Sequence, residues 1–382
     1  MSIQDYITTE KTSKATRSDV LEEFEDPRRN TRQATGDSRR HTDADSMRRH
    51  FGIAAWDRSA FDWPTVIPNL WEHTWDAPPD EDWGGTDYLC RGKPGKGKST
   101  FGNYVAIRML EINEEKVVWR GSTSRSEWMP LAPWTRLCLP AGVEIEASLE
   151  HKKPGKPSIG LDVDDLEEIV REVVRYENPV QLNHEVLEPG QFHVVYPDPR
   201  MRGCQEVYEA SDERTYDPPP GREELFAAED PATHWWAAWL LARVEHGPMH
   251  WTTWICDEVG DIFPQSVQKD AFGSYQKVEL TKDSWVDFRK FGLSAFMFCH
   301  SEKDVHQMIR EKLRWRVQMR GTANPTAAGS VVGFDSVPMH SDRTSTLPVG
   351  RALAYTETNF EKFQYSDVPE ASDYKLMLKM RE

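Results

Sequence analysis

At 382 residues the chain is long enough for one large core with appended segments, and its 15 Trp and 11% aromatic content require a packed body. A formal net charge of −16 excludes the uniformly basic surface that binds nucleic acid through bulk charge, while leaving open a local basic rim or pore. Cys90, Cys138, Cys204, Cys256 and Cys299 form no C-x-x-C pair, and the twelve His lack metal-ligand spacing, so reduced core thiols are expected, with neither a disulfide framework nor structural zinc.

Residues 1–50 carry two aromatics, Tyr6 and Phe24, among mixed charges, and cannot bury enough apolar surface to fold alone. A disordered tail or a partner-docking arm is expected there, with a short helix near Asp19–Glu25. The N-terminus has no apolar signal-peptide core, and no run of 18 apolar residues occurs, so the expected location is the cytoplasm, or a virion for a viral chain. Residues 51–85 are rich in aromatics: Phe51, Trp56, Phe61, Trp63, Trp71, Trp75 and Trp83 alternate with Pro and Asp. They read as irregular chain wrapped on a core and ending at the turn Gly84-Gly85.

The run Gly92-Lys93-Pro94-Gly95-Lys96-Gly97-Lys98-Ser99, followed by Thr100, fits G-x-x-x-x-G-K-S. In that pattern glycines let backbone N–H groups converge on phosphate, the lysine reaches the β- and γ-phosphates, and the serine hydroxyl ligates Mg²⁺. Residues 92–100 are thus the expected ATP cradle, with Lys98 catalytic and Ser99 a metal ligand. The context supports this reading. Tyr88-Leu89-Cys90 reads as the end of a buried strand, and Phe101, Val105, Met109 and Ile112 share one face of a helix.

Further strands are expected at Lys116–Trp119, Trp134–Leu139, Val143–Leu149 and Phe192–Tyr196, and an amphipathic helix at Asp165–Tyr176. Residues 200–230 read as an acidic, Pro-rich loop. Asp230-Pro231 reads as a helix start, with Asp at the N-cap and Pro at the first helical position. The apolar run Trp251–Cys256 then closes on Asp257-Glu258. A buried strand ending in two acids beside a phosphate loop suits Asp257 to Mg²⁺ and Glu258 to the water that attacks the γ-phosphate.

Beyond it, Leu293–Cys299 reads as one more strand, ending on His300-Ser301, with Arg289-Lys290 just before it. Together these parts resemble the HerA–FtsK superfamily of P-loop ATPases. The likeness rests on Gly92–Ser99, on Asp257-Glu258 followed by Val259–Pro264, on Arg289-Lys290-Phe291-Gly292-Leu293, and on Leu347-Pro348-Val349-Gly350-Arg351-Ala352, across roughly residues 86 to 368. It implies an α/β P-loop NTPase with a mostly parallel central sheet flanked by helices. An extra strand would lie between the Walker A and Walker B strands and carry a γ-phosphate sensor, which falls on His300 where the superfamily usually has Gln or Asn. Arg289 would act on a neighbouring subunit's nucleotide, with Arg310, Arg314, Arg316 and Arg320 as alternatives.

The expected organisation is an ATPase domain at 86–368, with insertions near 120–160 and 200–230, and a C-terminal tail at 369–382. The resemblance implies a ring-forming, Mg²⁺-dependent ATPase that moves double-stranded DNA, of the type encoded by archaeal viruses or plasmids. Two other readings remain open. One is an ATPase for protein export or virion assembly, with membrane or virion components as partners. The other is a nucleotide-binding assembly switch that does not hydrolyse ATP.

Overall fold

The computed structural model describes residues 17–21, 24, 39–61, 66–73, 85–211, 216–322, 344–356, 359–370 and 372–381. Thirteen strands occur among them: β1 Asp87–Arg91, β2 Lys116–Arg120, β3 Thr135–Pro140, β4 Glu144–His151, β5 Ile159–Leu161, β6 Glu172–Tyr176, β7 Phe192–Val195, β8 Thr252–Cys256, β9 Leu293–Cys299, β10 Trp315–Met319, β11 Arg351–Tyr355, β12 Phe360–Gln364 and β13 Tyr374–Arg381. The principal helices are α1 Arg39–Phe51, α2 Val66–Trp71, α3 Lys98–Asn113, α4 Trp235–Glu245 and α5 Ser274–Lys290.

Ten strands form one sheet in the order β12-β11-β10-β1-β9-β8-β2-β7-β3-β6. The eight from β10 to β6 run parallel, and the β11-β12 hairpin adds an antiparallel edge. Parallel strands covered on both faces read as continuous apolar runs, as β8 and β9 do. Successive residues of β1 serve opposite cores: Tyr88 and Cys90 pack under α1, α2 and α3, and Leu89 under α4 and α5. The architecture is α/β, with the expected extra strand, β9, between β1 and β8.

Several local expectations do not hold. Asp165–Tyr176 is not one helix: a short helix Leu166–Ile169 gives way to β6. The apolar spacing there suits either period, and β-branched Val173-Val174 takes the free edge of β3. Asp230 does not cap α4, which is entered through a single 3₁₀ turn, Ala232–His234. Its buried carboxylate instead accepts hydrogen bonds from Lys277 Nζ and Arg222, each at 2.6 Å. Residues 374–381 are no tail. They form β13, which pairs antiparallel with β4 over its full length in a separate three-stranded sheet, β13-β4-β5.

The end of the N-terminal segment is also ordered against its own chain. In α1, Ala44 and Met47 are buried in the main core, Asp43 pairs with Arg171, and Trp134 Nε1 donates to Ser46 Oγ at 3.2 Å. The expected short helix is present as Arg17–Leu21. Residues 1–16, and Trp63, Trp75, Trp83 and Gly84 of the aromatic stretch, lie outside the described residues. No helix among the described residues is long and apolar enough to cross a membrane.

Candidate active site

Strands β1, β9, β8 and β2 are parallel neighbours, so their C-terminal ends share one edge of the sheet. That edge collects the loop after β1, His300 after β9, and Asp257-Glu258 after β8. Open parallel sheets bind ligands at this edge.

The loop between β1 and α3 is held by close approach. Gly97, at the N-cap of α3, has φ +90°, and a Cβ there would lie 2.5 Å from Tyr365 Oη. A larger residue would meet both backbone strain and this ring. Lys98 follows and is buried, and loss of hydration lowers its pKa. Its Nζ donates to Gly92 O at 3.0 Å and to His300 Nδ1 at 2.8 Å, and stands 3.8 Å from Glu258 Oε1. His300 Nε2 is 2.9 Å from the same Glu258 oxygen. A neutral imidazole with its proton on Nε2 satisfies both contacts, accepting from Lys98 and donating to Glu258. Glu258 itself has φ +53°, in the left-handed region that non-glycine residues rarely occupy and that functional sites retain.

Lys98, Glu258 and His300 are therefore in direct contact, while Arg289 is elsewhere. It lies in the last turn of α5, ahead of β9, where its carbonyl accepts from Gly85 N just before β1. Within this chain that is the edge opposite the P-loop. Of the alternative arginines, Arg314 pairs with Asp87 at 2.9 Å, and Arg310 donates to Glu302 O at 2.8 Å. Arg316 is fully buried and donates to Arg310 O at 2.9 Å. Arg320 follows β10 at the P-loop edge, beside Gly321, where a Cβ would lie 3.0 Å from Lys96 Cε.

The segment after β2 supplies charged groups that the motifs do not reveal. Arg120 donates to Asp257 O at 2.7 Å. Arg125 stands 3.9 Å from Glu258 Oε1 and 3.2 Å from Asp261 Oδ2. Glu127 shares a hydrogen bond with Asp257, and burial together with that neighbouring charge pushes its carboxyl above the usual carboxylate range. These residues belong to no motif. Their signal was positional: β2 adjoins the Walker B strand, so whatever follows β2 falls at the reactive edge.

Asp257 Oδ2 is buried and has no hydrogen-bond donor. Asn103 ties Ser99 to Glu127, donating from Nδ2 to Ser99 O at 3.1 Å and to Glu127 O at 2.8 Å. A serine hydroxyl and an unsatisfied carboxylate oxygen are hard donors. They fit Mg²⁺, which takes one or two protein ligands and fills its remaining positions with phosphate oxygens and water.

No protein-family model matches the chain, and no curated protein matches it. Solved structures do. The fold is that of a P-loop NTPase. The chain is similar to the genome packaging NTPase B204 of Sulfolobus turreted icosahedral virus 2 in complex with AMPPCP, at 11% identity and a TM-score of 0.38, over 73% of this chain and 97% of that one. It is also similar to the conjugation coupling protein TcpA of pCW3, at 10% identity and a TM-score of 0.37, over 82% and 70% of the two chains. A third likeness is to the N-terminal domain of zonular occludens toxin from Neisseria meningitidis, at 11% identity and a TM-score of 0.31, over 76% and 98%. Such proteins are P-loop ATPases of the FtsK/HerA type, the type that the sequence resembles.

Proposed function

We propose that the chain is a Mg²⁺-dependent ATP hydrolase working as the subunit of an oligomeric, ring-shaped motor that moves double-stranded DNA, in the manner of viral genome packaging. The observation that carries the hydrolase reading is the contact chain Lys98–His300–Glu258 at the mouth of the P-loop. The backbone of residues 92–97 and the side chain of Lys98 bind the β- and γ-phosphates, with Ser99 and Thr100 at the start of α3. Ser99 and Asp257 hold Mg²⁺, which when bound neutralises charge on the phosphate oxygens. Glu258 accepts a hydrogen bond from the attacking water and aligns it, and His300 Nε2–H keeps that carboxylate in place. As the water oxygen bonds to Pγ, the bond to the bridging oxygen breaks, and Lys98 follows the shifting negative charge. His300 touches both the lysine and the glutamate, so it is placed to report whether the γ-phosphate is present.

Arg289, remote from its own P-loop, would serve the site of a neighbouring subunit. Work in the host-cell cytoplasm or on the virion suits this reading. The cargo rests on the HerA–FtsK resemblance. The net charge of −16 favours a second reading, in which the motor acts on protein during export or virion assembly. A third reading is an assembly switch that binds ATP without hydrolysing it.

One experiment separates them: ATP turnover by the wild type and Glu258→Gln, with and without double-stranded DNA, at low and high salt. The expected result is DNA-stimulated turnover that salt weakens and the substitution abolishes while ATP stays bound. Turnover indifferent to DNA would transfer the reading to protein cargo. Bound ATP with no turnover under any condition would overturn the motor.

A further inference from the structure

A second cleft opens directly off the P-loop. Ser99 and Thr100 form one side, Asn103 the floor, and Met129 and Pro130 the far wall; its volume is about 130 Å³. The outer side is closed by parts foreign to the central sheet: Val368 and Glu370 from the C-terminal segment, Lys375 on β13, and Lys152 just beyond β4. Lys152 Nζ straps this side together, donating to Glu370 Oε2 and to Ser372 O, each at 2.6 Å.

We propose that this cleft receives the nucleoside part of the nucleotide, so that the three-stranded sheet β13-β4-β5 is a component of the ATP site. The inference rests on the ATP-binding reading above. Phosphates fixed by residues 92–99 leave the sugar and base to extend past the start of α3, and the cleft begins there, at Thr100. Met129, Pro130 and Val368 offer apolar surface to the faces of a base.

Asn103 adds a polar anchor. It is 1% exposed, and its Nδ2 is committed to two backbone carbonyls, which fixes the orientation of the amide. Its Oδ1 has no hydrogen-bond donor in the protein. Leaving a buried acceptor unpaired is costly, and a nucleoside brings donors in its sugar hydroxyls and exocyclic amine. The Lys152–Glu370 bridge then holds the outer wall over the bound nucleoside. Inorganic polyphosphate, which lacks sugar and base, would use the P-loop and leave the cleft unfilled.

The test is calorimetric titration of the wild type and Val368→Trp with ATP, ADP and inorganic tripolyphosphate, each with Mg²⁺. The indole should fill the cleft, weakening ATP and ADP at least tenfold while leaving tripolyphosphate within twofold of wild type. The wild type itself should bind ATP at least tenfold more tightly than tripolyphosphate. ATP affinity unchanged by the substitution would overturn the inference, as would equal wild-type affinity for ATP and tripolyphosphate. Val368 is buried, so Ser372→Trp at the half-exposed rim repeats the comparison should Val368→Trp not fold. A wild type that binds neither ligand would overturn the ATP-binding reading itself, and this inference with it.

Discussion

The contacts of His300 set its catalytic share apart from its structural one. The imidazole touches the P-loop lysine through Nδ1 and the Walker B glutamate through Nε2, and its side chain is 45% exposed, so little packing depends on it. His300→Ala should therefore leave stability nearly unchanged and ATP affinity within a few-fold, while lowering kcat roughly 100-fold, within the range of a lost positioning contact. Steady-state kinetics decide this: a rise in KM at constant kcat would make His300 a binding residue with no part in the chemistry. The strand and the histidine at its tip were both legible, because seven apolar residues ending on a polar one announce a buried parallel strand. The contact between His300 and Lys98 was not, since it spans two loops 202 residues apart. Arg125 and Glu127 were missed for a related reason. Neither lies in a motif, and the charge chemistry of the residues after β2 emerges only once β2 is known to adjoin β8.

At the scale of elements, legibility followed local pattern. The strands β1, β2, β7, β8 and β9 were all readable, because helices on both faces force their residues to be apolar. β13 was not. Its alternation, Tyr374, Leu376 and Leu378 inward with Lys375 and Lys379 between them, is clear once seen, but it lies in a charged terminal segment where a solvated tail was the simpler reading. Its only strand partner is β4, more than 200 residues earlier, and no local signal announces that pairing. The two readings differ energetically. Leu376 and Leu378 are fully buried in the core that also holds Leu149. Leu376→Ala should cost about 3 kcal/mol, the usual size for a leucine removed from a well-packed interior. A solvated tail would register almost nothing. Urea unfolding of the purified variant measures the difference, and an unshifted midpoint would contradict the pairing of β13 with β4.

For the molecule as a whole, the −16 charge suggests a chain eased by acid, since protonating carboxylates relieves self-repulsion. Two buried histidines oppose this. His193, on β7, is fully buried. Burial and then the charge of Arg136 hold its pKa well below 6.5; Lys116 and Arg171 act the same way, and its contact with Val117 O opposes them. His234, at the mouth of α4, is lowered to about 4, first by burial and then by Lys277 and Arg222, against the opposing pull of Asp230 and Asp270. Both residues stay neutral in the fold, whereas in the unfolded chain they take up protons near pH 6.5. The unfolded state thus binds more protons below that pH. The stability that the two histidines contribute is complete above about pH 6.5 and is lost as pH falls toward the folded value, about 4 for His234. Ordinary carboxylates titrate near the lower end of this window, so between about pH 6.5 and 5 the histidine effect acts almost alone. The urea midpoint should fall across that interval, with His234 contributing on the order of 2 kcal/mol by pH 4. His234→Gln can keep the contacts to Lys277 and Ser274 without titrating, and should flatten the pH dependence by that share. A wild type whose midpoint holds steady or rises between pH 6.5 and 5 would show that charge relief outweighs the buried histidines.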